Sequence, residues 1–225
     1  MEVATSLARL APREKQPLDL AEEATRSTDG HLGKVVPPTL VPPGRVLFWQ
    51  DDQQQREIEV INGVVRAVRL LENGSRQILA FYWPGDTIYP ATAQLQCYTA
   101  EAVTACRLRW SPPPSRVCST TWSSGADQVI QEMLALVLAI GKKCTVPRIA
   151  WFLLRIRKHL PRDPRRLESQ RVMLPRADIA DYLGTSIETV CRTLHDFQSK
   201  GLVDLPTRKT IRFIDLPGLE RIAEG

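Results

Sequence analysis

Histidine, cysteine and aromatic side chains are scarce in this chain. Its 225 residues hold three histidines, His31, His159 and His195, widely separated from one another. The five cysteines, Cys97, Cys106, Cys118, Cys144 and Cys191, show no CxxC pair. Zinc-finger spacing is therefore absent, and no metal site is expected. An odd cysteine count fits free thiols in a reducing cytosol. The N-terminal MEVATSLARLAPREKQP has charge on both sides of a weak apolar stretch, which does not fit a secretory signal. No apolar run approaches the ~18 residues of a membrane span, so no membrane partner is expected and a cytoplasmic location is. Phosphate-cradling loops, the nucleophile-elbow motif and H-E-x-x-H are also missing. Nothing marks a catalytic residue or a bound cofactor, and the reading is of a non-enzyme.

What is present is ordinary globular composition, 43% apolar and 24% charged. The length suits two domains of about 100 residues each, or one large one. Charge is unevenly placed. Residues 1–141 hold 13 Lys and Arg against 15 Asp and Glu, a net of −2; residues 142–225 hold 17 against 10, a net of +7. A basic domain beside a near-neutral one suggests a polyanion such as nucleic acid. A solvated basic face is the plain alternative.

Residues 1–44 read as a tail ending in VVPPTLVPPG, whose four prolines forbid helix and central strand. Strands are expected at Arg45–Trp49, Glu57–Ile61, Val64–Leu71, Gln77–Tyr82 and Ala100–Trp110. Between them lie Asp51-Asp52, Asn62-Gly63, Asn73-Gly74 and Pro84-Gly85-Asp86. Asn-Gly tolerates the positive φ of tight hairpins, so an antiparallel barrel or roll over 45–123 follows. Ser111–Ser115, SPPPS, breaks the last strand.

A long helix is expected from Ser124 to Lys143, with a hinge to residue 146. Val129, Met133, Leu136 and Ile140 form one apolar row, and Ile130, Leu134 and Val137 a second. Two stripes exceed what one core needs. One faces a second copy of the chain, or the whole helix is buried within one subunit. Thr145 as N-cap and Pro147 in the first turn then start another helix. Its core row is Ile149, Phe152, Leu153 and Ile156.

The segment LPRADIADYLGTSIETVCRTLHDFQSKGLVDLPTRKTIRFID is the most informative. Pro175 opens a short helix with Ile179, Ala180 and Leu183 on one face, and Gly184 ends it. Thr185-Ser186 caps a second helix with Glu188 in its first turn. That helix buries Val190, Leu194 and Phe197 and stops at Gly201. Small Ala180, four residues before Gly184, lets the two helices approach closely. These are the proportions of a helix-turn-helix, whose second helix enters the major groove. Leu202–Leu205 and Thr210–Ile214 read as a two-stranded wing with Pro206–Lys209 at its tip. The exposed early face of the second helix carries Ser186, Ile187, Glu188, Cys191 and Arg192. Arg192 suits guanine and Glu188 cytosine. At i,i+4 the carboxylate is placed to orient the guanidinium; an exposed salt pair that only stabilises the helix is the alternative. Thr185, Ser186, Arg176, Arg208 and Lys209 are candidates for the DNA backbone.

At these residues the sequence resembles the CRP/FNR superfamily of bacterial transcription regulators, most of all its FixK-like branch. NGSRQILAFYWPGDTIY resembles the β-roll signature, AEAVTACRLR its last strands, and PRIAWFLLRIRKHL the first helix of the DNA-binding domain. The resemblance implies an α+β architecture: an N-terminal antiparallel β-roll of the cyclic-nucleotide-binding type, a long dimerisation helix over 124–146, and a C-terminal winged helix-turn-helix over 147–225. In the family's E-x-x-[SG]-R reading pattern the Glu falls on Glu188 and the Arg on Arg192, while Cys191 departs from Ser or Gly. Ile187 stands where cyclic-AMP-type members carry another base-reading Arg and FNR-type members an apolar residue, which implies TTGA-like half-sites. The family's phosphate-binding Arg-Ser pair would fall near Gln96-Cys97, so a cyclic nucleotide lacks its countercharge. The N-terminal cysteine cluster of iron-sulfur members is missing.

The expected protein is a homodimeric regulator with duplex DNA, itself and RNA polymerase as partners. Val129, Met133, Leu136 and Ile140 would form the dimer contact, and Cys191 is a candidate redox thiol or a tolerated Ser replacement. Alternatives are gating by an unrecognised small ligand, or a cupin-like enzyme with an appended DNA-binding domain. The last would need clustered metal ligands, and no histidine lies in Arg45–Trp110.

Overall fold

A computed structural model describes residues 37–54, 56–90, 95–111, 133–141, 144–160 and 171–224. The first part is a roll of two four-stranded antiparallel sheets. Its strands are β1 (Thr39–Val41), β2 (Val46–Phe48), β3 (Glu57–Asn62), β4 (Val65–Leu70), β5 (Arg76–Tyr82), β6 (Thr87–Ile88), β7 (Thr99–Ala102) and β8 (Cys106–Ser111). One sheet has the order β1-β8-β3-β6 and the other β2-β7-β4-β5. Alternation does the sorting. Ile58 and Val60 of β3, with Cys106, Leu108 and Trp110 of β8, point inward onto Val65 and Ala67 of β4.

The second sheet is packed on both faces. Between Ala67 and Val68 the β4–β5 register shifts. Val68, Ile78 and Trp83 then join a separate cluster on the outer face, with Leu136, Phe152 and Tyr182. A sheet with two buried faces is thus the platform on which the helical half rests.

Residues 133–141 are helical. The helical half continues with α1 (Thr145–His159), strand β9 (Arg171–Met173), α2 (Arg176–Leu183), α3 (Ile187–Ser199), the hairpin β10 (Val203–Thr207) and β11 (Thr210–Phe213), and α4 (Leu216–Glu224). Ile149, Phe152, Leu153 and Ile156 of α1 are buried as the periodicity requires. They meet Ile179, Leu183, Val190, Leu194 and Leu219 in one core.

Several expectations are corrected. The tail ends before residue 44, because β1 pairs with β8 as an edge strand; an edge tolerates the flanking prolines. Ala100–Trp110 is two strands, not one, and β7 and β8 belong to different sheets. Asn62-Gly63 is a corner between sheets rather than a hairpin, since β3 and β4 do not pair. Gly63 still has the expected positive φ of 91°. Cys144, not Thr145, is the N-cap of α1, without a side-chain cap bond. The wing sheet has three strands in the order β10-β11-β9. Helix α4 closes the chain; Asp215 Oδ1 accepts the Gly218 amide at 3.0 Å at its start. The expected start of the long helix at Ser124, its end at Lys143, and the row members Val129 and Ile130 lie outside the described residues.

Candidate nucleic-acid interface

The turn between α2 and α3 is fixed by two local devices. Gly184 caps α2 in the left-handed region, φ 62° and ψ 47°, with its amide donating to the Ala180 carbonyl. Glycine adopts that conformation without Cβ strain. Ser186 then has extended backbone and its Oγ accepts the Thr189 amide at 3.1 Å, opening α3. The small Ala180 side chain is buried at the crossing.

Helix α3 turns Val190, Thr193, Leu194 and Phe197 into the core. The opposite face presents Ile187, Glu188, Cys191 and Arg192, spaced i, i+1, i+4 and i+5, as one strip. Ile187 is 50% exposed although apolar. Glu188 and Arg192 are exposed and Cys191 is half-buried. The two charged side chains do not pair: among the described residues no ion pair joins Glu188 to Arg192. The expected orienting contact is corrected on this point, and both groups stand exposed. His195 extends the strip by one turn, with Nδ1 2.9 Å from the Cys191 carbonyl oxygen. Its place four residues beyond Cys191 is the signal that would have included it.

Arg176, at the first position of α2, is half-buried. Burial lowers its pKa, and the neighbouring Cys191 acts in the opposite sense. The wing tip is stiffened by Thr207, whose Oγ1 accepts the amides of Lys209 at 3.2 Å and Thr210 at 3.1 Å. Arg208 and Lys209 are exposed there. Thr185 is half-buried and Ser186 exposed.

In the helical segment 133–141, Leu136 is only 9% exposed and packs into the chain's own core. Leu136 is thereby corrected as a member of the expected contact row, of which Met133 and Ile140 are exposed and Val129 lies outside the described residues. The outward stripe is Met133, Leu134, Val137 and Leu138, the last two 65% and 60% exposed, with Ile140 beside it. In the roll, Gln96 is buried and held by its backbone, which accepts from the Asp51 amide and donates to the Asp52 carbonyl. Its side chain is a neutral amide and brings no positive charge to this part of the roll. Cys106 is buried in the core, and burial raises its pKa. Among the described residues no cluster of three or more His, Cys, Asp or Glu is placed to hold a metal, and no helix is long and apolar enough to cross a membrane.

The Crp-like helix-turn-helix domain model matches residues 147–222. The chain is 31% identical over 196 residues to the nitrogen fixation regulation protein FixK of Azorhizobium caulinodans, covering 82% of this chain and 78% of that protein. It is 33% identical over 176 residues to the protein of the same name from Rhizobium meliloti, covering 75% and 79%. The chain belongs to the CRP/FNR family, on its FixK-like branch. Members are bacterial transcription regulators that bind DNA through a helix-turn-helix. The fold agrees: the structure of FixK2 from Bradyrhizobium japonicum superposes with a TM-score of 0.73 at 24% identity, over 84% of this chain and 98% of that one.

Proposed function

We propose that this family member works as a homodimer that reads TTGA-like palindromic half-sites through Ile187, Glu188, Cys191 and Arg192. The observation that carries this reading is the unpaired, exposed strip at the start of α3, set opposite a closed core. Arg192 donates to guanine, Glu188 accepts from cytosine, and apolar Ile187 packs on a thymine methyl. Thr185, Ser186, Arg176, Arg208 and Lys209 take the phosphates on either side. The outward stripe Met133, Leu134, Val137 and Leu138 supplies the dimer contact, so two recognition helices face successive major grooves. The roll acts without a cyclic nucleotide or an iron-sulfur cluster and offers its surface to RNA polymerase. The buried amide of Gln96 supports the first part of that reading.

Selection of preferred sites from random duplexes, in reducing and oxidising buffer, tests it. Palindromic TTGA-like sites bound by a dimer are expected. Recovery of unrelated or non-palindromic sequences overturns it.

A further inference from the structure

The roll grips the first helix of the helix-turn-helix through charge. Arg66 on β4 reaches Asp178 on α2 with Nη1 at 2.5 and 2.6 Å from the two carboxylate oxygens. Its Nη2 holds Glu101 of β7 at 2.8 Å. Arg76 on β5 donates from Nη2 to Asp178 Oδ1 at 2.9 Å and from Nε to Asp181 Oδ2 at 2.6 Å. Gln77 Nε2 adds a bond to the Asp181 carbonyl oxygen at 2.6 Å. The Asp178 side chain is 1% exposed. Burial alone would lower the pKa of Arg66, but the hydrogen bond to Glu101 and the charges of Asp178 and Glu101 raise it overall.

Helix α2 is therefore two-sided. Ile179, Ala180 and Leu183 face the recognition helix, while Asp178, Asp181 and Tyr182 face the sheet. Around the ions lie Phe81 against Tyr182, with ring centroids 5.3 Å apart, and Trp83 stacked on His159 at 5.5 Å. Aromatic contacts of this kind prefer certain ring arrangements but tolerate a spread of centroid distances and tilts, and so hold two bodies together at a range of angles. Two guanidinium groups bridging Asp178, Asp181 and Glu101 admit few angles, because each bridging arginine must satisfy two carboxylates at once. The roll's own core lies on the other face of the sheet and does not use the cluster. At the far end of α2, Arg148 donates to the Leu183 carbonyl at 3.0 Å and to the Ile140 carbonyl at 3.1 Å, tying α2 to the helical segment 133–141. The strip Ile187, Glu188 and Arg192 stays exposed throughout, so the grip aims the recognition helix without covering it.

We infer that Arg66, Arg76, Asp178 and Asp181 are positioning residues that set the angle of α3 relative to the dimer axis, and with it the half-site spacing the dimer accepts. This rests on the dimeric DNA-binding reading above. The test uses full-length protein and a set of duplexes with identical half-sites and spacers of different length. Wild type is expected to favour one spacer by about tenfold or more, since half-sites must match helix separation. In Arg66→Gln/Arg76→Gln that preference falls to about threefold or less, while base preference within each half-site is unchanged. Gln77→Ala/Asp181→Asn, which removes only the more exposed part, gives an intermediate ratio and serves if the first variant does not fold by circular dichroism. Variants as selective for spacing as wild type overturn the inference and leave the DNA-binding reading intact. A wild type that binds single half-sites as a monomer overturns both.

Discussion

Arg192 and Glu188 carry the sharpest residue-level expectations because neither is engaged with the other. Arg192→Ala is expected to cost about 1–3 kcal/mol and to flatten preference at one guanine per half-site. Glu188→Ala relaxes an adjacent position. Lys209→Ala, at the wing tip, weakens all duplexes alike and lowers the salt slope. Binding titrations over single-base variants at two salt concentrations separate these outcomes. Cys191 gives a second test. Peroxide oxidation to the sulfinic acid adds negative charge beside DNA phosphates, and affinity should fall by about tenfold or more. Cys191→Ser keeps its affinity in peroxide; equal loss in both proteins places the sensitivity at another cysteine. Two glycines are expected to differ for a physical reason. Gly184 has φ 62° and open space where a Cβ would point, so Gly184→Ala costs the backbone strain alone, about 1–2 kcal/mol. At Gly63 a Cβ would lie 2.6 Å from both the Ala105 carbonyl oxygen and Cys106 Sγ. Gly63→Ala should therefore be the more destabilising of the two in urea unfolding.

Among the elements, the helical segment 133–141 separates packing from association. Val137→Asp/Leu138→Asp should leave the fold intact and yield monomers with collapsed DNA affinity, because the outward stripe would bury charge against a partner. Leu136→Ala should instead lower stability by about 2–5 kcal/mol with dimerisation retained. Sedimentation and thermal unfolding distinguish the two. The mistaken role of Leu136 in sequence reading has a plain cause: periodicity reports which residues share a face, not what covers it. The same limit explains Asn62-Gly63, where the turn's φ was legible but not whether its strands pair. Helices α2 and α3 were readable almost residue by residue because their signals are local: Pro175, Gly184, Ser186 and the 3.6-residue spacing of Val190, Leu194 and Phe197. Strand β9 was not, since only Val172 of its three residues is buried and its partner β11 lies far along the chain. The break between β7 and β8 was hidden for a similar reason. Val103, Thr104 and Ala105 continue a β-like composition while the backbone changes sheet.

At the scale of the molecule, the ionic grip between roll and helices was beyond sequence reading altogether. Arg66 and Asp178 are 112 positions apart, and each alone resembles an ordinary surface charge. The structure wedges α2 between two bodies, and not one of its residues from Arg176 to Leu183 is exposed. Such a helix has no neutral side on which substitutions can accumulate. Its four polar or charged members, Arg176, Asp178, Asp181 and Tyr182, are drawn in along with its aliphatic ones. A comprehensive substitution scan scored by reporter expression should find α2 as intolerant as the central turns of α1. By contrast, Gln198, Ser199 and Lys200, exposed at the end of the recognition helix, should accept most replacements. Genetic drift in this regulator is thus expected to leave untouched a stretch whose composition, taken alone, looks like surface.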